Sequence, residues 1–268
     1  MKKYNRVMTI AGSDSGGGAG IQADIKTISA NGCFATSAIT AITVQNTMGV
    51  TNIHPIPTNY IREQISVVLS DIGTDAIKIG MLHNSETIRA VQKVLQQFKQ
   101  TNIVLDPVMV ATSGSKLLED EAIDTLKKVL LPMARIITPN IPEAELLLGE
   151  QIMEQKELGK FARQLSANGT VSVFLKAGHL KDNELIDVFY NAETDEVLEL
   201  KSERIYSQNT HGTGCTLSSA LAAGLAKGLS LNETAIAAKE YIHQAIVEGA
   251  DYKIGEGHGA VKHFYNYW

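Results

Sequence analysis

The feature that most constrains the fold of this chain is an alternation of short apolar runs with longer amphipathic segments. Six apolar runs are predicted strands: Arg6–Ala11, Ala38–Val44, Ala76–Ile79, Ile103–Leu105, Arg135–Ile137 and Val171–Lys176. They are continuous rather than alternating in polarity, which is typical of parallel strands covered on both faces. The segments between them carry apolar residues at helical spacing, as in Ile61, Ile65, Val68 and Leu69. This alternation predicts a doubly wound, mostly parallel sheet with helices on both faces.

The pattern changes in the last third of the chain. Leu185–Tyr190 and Glu196–Leu200 flank a turn-forming stretch, which predicts an antiparallel hairpin on the sheet edge. Earlier in the chain, Ser85 is predicted to be the N-cap of a helix that contains Ile88 and Val91. We find no repeat, linker or composition break in the 268 residues, so we expect one α/β domain over residues 1–268.

Charge and composition favour small-molecule partners. A formal net charge of −5 and a pI near 5.8 give no electrostatic footprint for nucleic acid or for an anionic membrane. No stretch approaches the roughly 20 apolar residues that a membrane span needs. The two cysteines, Cys33 and Cys215, are far apart and too few for a disulfide framework, which favours a reducing compartment. We therefore expect a cytoplasmic protein.

A glycine-rich segment, Gly12–Gly20, directly follows the first predicted strand. In sheets of this kind ligands bind beyond the carboxyl ends of the strands, so the segment is a candidate ligand loop. The alternative is a flexible surface turn. Gly18–Ala23 also matches the dinucleotide fingerprint, but it starts six residues beyond Gly12 and lacks the acidic residue that should follow. We find no Gly-x-x-x-x-Gly-Lys-Ser/Thr phosphate loop, so both standard nucleotide motifs fail.

A second candidate is the run from His211 to Cys215, His-Gly-Thr-Gly-Cys, which is predicted to open a helix near Cys215 that runs to Gly228. Backbone N–H groups at a glycine-rich helix start form an anion site. A cysteine there is expected to have a lowered pKa and to act as a base or nucleophile. The alternatives are that Cys215 is a small packing residue and that His211 is a polar helix-entry residue.

Further polar residues follow other predicted strands. Asp106 ends one strand and is either a metal or orienting carboxylate or a turn residue. Asn140 and Glu143 either cap a helix or present hard oxygen ligands to magnesium and phosphate. Lys176 ends another strand and suits a phosphate contact. An acid, an oxygen-rich pair, a lysine and an anion site together indicate phosphoryl transfer without a phosphate loop.

The chain resembles the ribokinase superfamily and, within it, the hydroxymethylpyrimidine/phosphomethylpyrimidine kinases of the thiamin pathway. The resemblance rests on seven runs in family order: Ala11–Asp24, Thr40–Thr47, Lys78–Leu82, Asp106–Met109, Thr138–Glu143, Lys176–His179 and His211–Thr216. The segment His258–His263 resembles the family ending. The resemblance implies a ribokinase-like sheet, ATP and Mg²⁺ as cofactors, a pyrimidine substrate and a homo-oligomer, commonly a dimer.

The resemblance also implies roles for individual residues. Gly214, with its neighbours Gly212 and Thr213, would form the anion hole for the transferring phosphoryl group, and Cys215 would be the base that activates the substrate hydroxyl. The residues that would organise ATP and its magnesium are Asp106, Asn140, Glu143 and Lys176, with Asp106 and Glu143 nearest the metal. The residues that would line the pyrimidine pocket are Gly12, Asp24, Gln45, Met81 and Val108.

Within that pocket, Gln45 would read the amino-pyrimidine edge of the ring. One departure from the family is Ala177, where glycine is more usual, and a methyl group beside the phosphate site is expected to alter nucleotide affinity. Three alternatives stay open: a pyridoxal or pyridoxine kinase, which shares the fold; an oxidoreductase that uses Gly18–Ala23; and a silent vitamin-binding protein. Gln45 favours a pyrimidine kinase over a pyridoxal kinase, and Cys215 argues against a pure binding protein, which needs no base.

Overall fold

A computed structural model describes residues 2–109, 117–180 and 182–268 as one sheet surrounded by helices. The strands are β1 Arg6–Asp14, β2 Phe34–Asn46, β3 Gly49–Pro55, β4 Ala76–Ile79, β5 Ile103–Leu105, β6 Ile136–Ile137, β7 Ser172–Leu175, β8 Glu184–Asn191 and β9 Glu196–Glu203. The helices are α1 Gly20–Ala30, α2 Thr58–Asp71, α3 Ser85–Gln97, α4 Asp120–Val129, α5 Ile141–Leu148, α6 Leu158–Leu165, α7 Thr213–Ala226 and α8 Leu231–Gly249.

The sheet has the order β3-β2-β1-β4-β5-β6-β7-β8-β9. Within the sheet, the neighbouring strands β2, β1, β4, β5, β6 and β7 pair in parallel. Strand β3 at one edge and strands β8 and β9 at the other edge pair antiparallel. The predicted ribokinase-like class, a mostly parallel sheet with an antiparallel edge hairpin, is therefore confirmed. Because the parallel strands point the same way, their carboxyl ends meet at one edge of the sheet.

Two apolar layers cover the two faces of the sheet. Successive residues of β5 contribute to opposite layers: Ile103 and Leu105 pack on the α2–α6 side, and Val104 packs on the side of α1, α7 and α8. The same alternation occurs in β7, where Phe174 faces the second layer. Strands buried on both faces need apolar residues at every position, which explains the continuous runs in the sequence.

The structure corrects two local expectations. Strand β3 was not predicted, because Gly49–Pro55 has no continuous apolar run, ends in proline and is exposed or half-buried, as an edge strand permits. The N-cap of α3 is Asn84 rather than Ser85: the Asn84 side-chain oxygen accepts from the Thr87 N–H, and Ser85 is the first helical residue. Within the part of the chain that the structure describes, we find no helix with the length and apolar character needed to cross a membrane.

Candidate active site

A cavity of about 660 Å³ lies at the carboxyl edge of the parallel strands. It falls within the range of about 300 to 1,000 Å³ that is usual for small-molecule sites. The residues proposed from sequence that line it are Gly12, Gln45, Met81, Asp106, Val108, Asn140, Glu143, Lys176, Gly212, Thr213, Gly214 and Cys215. Loops that are far apart in sequence are thus brought together in one site. Asp24 is the exception, because its side chain is fully buried and does not line the cavity.

The end of the cavity where the sequence analysis expects phosphate, called the phosphate end below, is built around Lys176. Its Nζ lies 3.4 Å from Asp106 Oδ1 and 3.9 Å from Glu143 Oε2. Asp106 is held in turn by Thr138, whose hydroxyl donates to Asp106 Oδ1 at 2.9 Å, and by Ser218 at 3.3 Å from Oδ2. One lysine and two carboxylates therefore come together from the ends of β5 and β7 and from the first turn of α5.

Asn140 and Glu143 form a capping box at the start of α5. The Asn140 side-chain oxygen accepts from the Glu143 N–H at 2.9 Å, and Glu143 Oε2 accepts from the Asn140 N–H at 2.8 Å. The helix-capping alternative is therefore confirmed. It does not remove these residues from the site, because both also line the cavity.

The family resemblance led us to expect Asp106 and Glu143 to lie nearest a magnesium ion, and both carboxylates line the cavity. Among the described residues, no group of three or more His, Cys, Asp and Glu side chains is arranged to hold a metal. Mg²⁺ bound with ATP usually needs only one or two carboxylates, because phosphates and water complete its shell. Burial raises the pKa of Glu143 to about 7 despite Lys176, and Asp106 adds to the rise. A divalent cation would relieve this excess of negative charge, so the donor set fits the ion.

The first turn of α7 forms the floor of the phosphate end. Gly212 has φ +80°, and a Cβ on it would overlap the carbonyl oxygen of Gly18, so only glycine fits there. A methyl group on Gly214 would lie 3.4 Å from Lys176 Nζ and 3.6 Å from Asp106 Oδ2. The N-terminal N–H groups of a helix have no partner within the helix, and the residues at this helix start, Gly212 to Cys215, line the cavity.

Cys215 lies in this first turn and keeps partial exposure. The expectation of a lowered pKa is wrong. Burial raises the pKa of the Cys215 thiol to about 11, although Lys78 acts in the opposite direction. Desolvation of the thiolate, together with the charges of Asp24 and Asp106, therefore outweighs the positive charge of Lys78.

Sequence reasoning missed Lys78, which also lines the cavity. Its side chain is fully buried, and its Nζ lies 2.8 Å from Asp24 Oδ1. Asp24 also accepts from the hydroxyls of Thr9 and Ser219 at 2.5 and 2.8 Å. Burial opposes the charge on Lys78, but the negative charges of Asp24, Cys215 and Asp106 and the hydrogen bond to Asp24 together outweigh burial and raise the pKa of Lys78. The available signal was a lysine within the otherwise apolar strand β4.

The opposite end of the cavity has apolar walls and one amide. Met81 and Val108 pack in a small apolar cluster, and Met81 approaches so closely that a Cβ on Gly12 would lie 2.9 Å from its Cε. The Gln45 amide lies 3.2 Å from His211 Nε2 and 3.0 Å from the Thr43 hydroxyl. A flat ring with a polar edge suits such walls.

Ala177 does not have the place expected for it. Its side chain is fully buried in the core and does not line the cavity. Its N–H donates to Asp187 Oδ1 at 2.7 Å, and Lys239 binds the other oxygen of Asp187 at 2.7 Å. The extra methyl group therefore packs into the protein, while Asp187 and Lys239 fix the turn that carries Lys176.

The fold and the site together define a ribokinase-like small-molecule kinase. A family model described as phosphomethylpyrimidine kinase matches residues 14–262. The chain belongs to the phosphomethylpyrimidine kinase family. A hydroxymethylpyrimidine/phosphomethylpyrimidine kinase from Rhizobium meliloti (strain 1021) is 47% identical over 262 residues, which span 97% of each protein.

Solved structures of related kinases have the same fold. The phosphomethylpyrimidine kinase of Clostridium difficile 630 has a TM-score of 0.80 and 41% identity, covering 90% of this chain and 99% of that one. An ADP complex of Bacillus subtilis pyridoxal kinase has a TM-score of 0.88 and 38% identity, covering 97% of this chain and 98% of that one. Kinases that act on two different rings therefore share this architecture.

Proposed function

We propose that this protein transfers the γ-phosphoryl group of ATP to 4-amino-5-hydroxymethyl-2-methylpyrimidine and then to its monophosphate, as in thiamin biosynthesis. The observation that carries the proposal is the division of one cavity into two ends. An amide and apolar walls, at Gln45, Met81 and Val108, suit an aminopyrimidine ring. The start of α7 and Lys176 suit phosphate at the other end.

The charges at the phosphate end support the transfer step. Lys176 and the N–H group of Gly214 would stabilise the negative charge of the transferring group, as helix starts and lysines do in phosphoryl transfer. The N–H of Thr213 instead donates to the Thr210 carbonyl oxygen at 3.3 Å. Asp106 and Glu143 would hold Mg²⁺, which neutralises phosphate charge when it is bound. The same cationic surroundings suit a phosphate acceptor in the second reaction.

Cys215 is the proposed base for the substrate hydroxyl. Its raised pKa means that the thiol is protonated at neutral pH, so ionisation must precede proton removal. Lys78 is the buried cation that favours the thiolate, since it lowers the pKa of Cys215 against the effect of burial. A thiolate of high pKa is a strong base once it forms.

A pyridoxal kinase is the second candidate. It is favoured by the similarity to the Bacillus subtilis pyridoxal kinase over nearly all of both chains. The Gln45 amide favours the pyrimidine as substrate, because the amino edge of the pyrimidine ring offers a donor and an acceptor side by side. A site that pairs such an edge discriminates strongly against a ring that leaves its amide unpaired.

The deciding experiment is a substrate panel with ATP and Mg²⁺: the hydroxymethylpyrimidine, its monophosphate, pyridoxal, pyridoxine and ribose. We expect the pyrimidine to have the highest kcat/KM and its monophosphate to be accepted. Gln45→Met, which keeps length but removes the amide, should lower kcat/KM for the pyrimidine far more than for pyridoxal. Faster turnover of pyridoxal, with no reaction of the pyrimidine monophosphate, would contradict the thiamin assignment.

We also propose that the protein is a homo-oligomer, most simply a dimer, as the family resemblance implies. Large apolar side chains on β2 and beside it support this. Ile42, Val44 and Met48 are 46%, 56% and 67% exposed next to edge strand β3. Such side chains are commonly covered when two subunits associate.

A further inference from the structure

Three polar side chains from distant parts of the chain meet at the ring end of the cavity. His211 Nε2 lies 2.9 Å from Asp14 Oδ2 and 3.2 Å from the Gln45 amide. One ring nitrogen of His211 therefore faces both a carboxylate and an amide. The position of its proton decides what the amide presents to a ligand.

The surroundings of Asp14 locate that proton. Its carboxylate accepts from the N–H of Gly16 at 2.7 Å, of Gly18 at 3.1 Å and of Ala19 at 2.8 Å. Burial opposes the charge, but the hydrogen bonds from His211 and from this backbone outweigh it and lower the pKa of Asp14. An ionised carboxylate only accepts hydrogen bonds. His211 Nε2 must therefore carry a proton and donate it to Asp14.

This proton fixes the orientation of the Gln45 amide. With the amide nitrogen placed toward His211, two N–H groups would face each other at 3.2 Å. The oxygen and nitrogen of a glutamine amide have nearly the same shape, so hydrogen bonding must assign them. The amide oxygen therefore faces His211, where it shares the Nε2 proton with Asp14.

Thr43 is compatible with the same assignment. Its hydroxyl lies 2.9 Å from the Ser13 carbonyl oxygen and 3.0 Å from the other end of the Gln45 amide. A hydroxyl has one hydrogen but can also accept, and the assignment gives that hydrogen to the Ser13 carbonyl oxygen. The Thr43 oxygen then accepts from Gln45, so the nitrogen belongs at this end. The Nε2 proton of His211 and the hydroxyl hydrogen of Thr43 then each have an acceptor.

The assigned orientation leaves a defined pattern for the cavity. One N–H of Gln45 is used by Thr43 and one oxygen lone pair by His211, so one N–H and one lone pair remain side by side. The 4-aminopyrimidine edge offers the complement, a ring-nitrogen acceptor beside an amino donor. Pyridoxal has no ring amino group. If the amide turned by 180°, its donor and acceptor would exchange places and mismatch the pyrimidine.

The His211 ring is held tightly enough to impose this choice. A Cβ on Gly18 would overlap the ring, so the glycine-rich loop packs directly against it. The backbone N–H of His211 donates to the Gly259 carbonyl oxygen at 3.0 Å, which ties the His211 backbone to the C-terminal segment. The ring therefore has little freedom to move away from Asp14 and Gln45.

We propose that His211, oriented by Asp14, is a specificity-determining positioning residue that locks the Gln45 amide in the orientation complementary to an aminopyrimidine. The inference rests on the proposed function, since it assigns Gln45 to ring recognition. It assigns His211 no contact with the reacting atoms. Its effect should appear in the choice of ring rather than in the use of ATP.

The test compares two variants at this position. His211→Phe keeps a ring but removes the donor, and His211→Gln places an amide N–H near the position of Nε2. We expect His211→Phe to lower kcat/KM for the hydroxymethylpyrimidine by about 10- to 100-fold, the range expected when a buried polar group loses its match. KM for ATP and kcat/KM for pyridoxal should change by less than about threefold, and His211→Gln should recover most of the loss.

A double-mutant cycle separates positioning from general damage. In a Gln45→Met background, His211→Phe should cause no further loss of ring preference, because no amide remains to be oriented. Equal losses for pyrimidine, pyridoxal and ATP would show that His211 only supports the adjacent anion site, and would overturn the proposal. Melting temperatures of all variants identify those that fail to fold.

A measurement on the unmodified protein needs no variant to be active. Long-range ¹H–¹⁵N NMR of the histidine rings, with His211 assigned from its absence in His211→Gln, should show a protonated Nε2. A ring protonated at Nδ1 alone would refute the proposal. If the unmodified enzyme does not phosphorylate the pyrimidine, the proposed function fails. If it does and His211→Phe keeps the full ring preference, only this inference fails.

Discussion

The buried pair of Lys78 and Asp24 gives the sharpest prediction about stability. Lys78→Met keeps the length of the side chain but removes its charge, which leaves Asp24 fully buried with only hydroxyl partners such as Thr9 and Ser219. Breaking a buried ion pair in this way typically costs about 3 to 5 kcal/mol. With an unfolding entropy of about 2.1 cal/mol/K per residue, a 268-residue chain should then melt about 5 to 9 °C lower.

The pH dependence of this loss tests its cause. Burial already raises the folded-state pKa of Asp24 although Lys78 acts in the opposite direction, and the pKa should rise further without Lys78, because an unpaired charge in the interior is costly. The folded state then holds a proton that the unfolded state has lost, so stability falls as pH rises through that range. The deficit of Lys78→Met should therefore be smaller at pH 5 than at pH 8.

The assay is thermal or urea unfolding of the single variant and of Lys78→Met/Asp24→Asn at both pH values. The double variant buries no net charge, so it should recover most of the lost stability and show no pH-dependent deficit. The reasoning would be refuted if Lys78→Met melted within about 1 °C of the unmodified protein, or if its deficit were the same at both pH values.

Two further predictions concern catalysis and titration. If Cys215 is the base, Cys215→Ser should lower kcat by roughly 10²- to 10⁴-fold with little change in either KM, whereas near-normal kcat with a lower melting temperature would leave it a packing role. Since the pKa of Glu143 is about 7 in the folded protein, its contribution to stability should fall as pH rises from about 4.5 to about 7. Glu143→Gln should flatten that fall and weaken Mg²⁺-dependent use of ATP, while calorimetric binding of the pyrimidine stays unchanged; parallel pH profiles of the two proteins would contradict this.

Some of the fold was predictable because its causes are local. Strands β4 and β5 and the turn before β9 follow from residues that are adjacent in sequence. The apolar runs of β4 and β5 are needed because both faces of these strands are buried. Strand β3 was missed because an exposed edge strand imposes no apolar pattern. Asn84 and Ser85 were confused because both are good N-cap residues, and only the backbone conformation separates them.

The sequence by itself determined which loops line the cavity, because glycines and polar residues placed after apolar runs indicate the carboxyl edge of a parallel sheet. Tertiary structure alone decided which of these residues touch. Asp14 and His211 are 197 positions apart, and Lys78 and Asp24 are 54 apart, so no local pattern records either contact. It also decided that Asp24 lies outside the cavity and that Cys215 has a raised pKa, because the free energy of a charged group depends on the atoms folded around it.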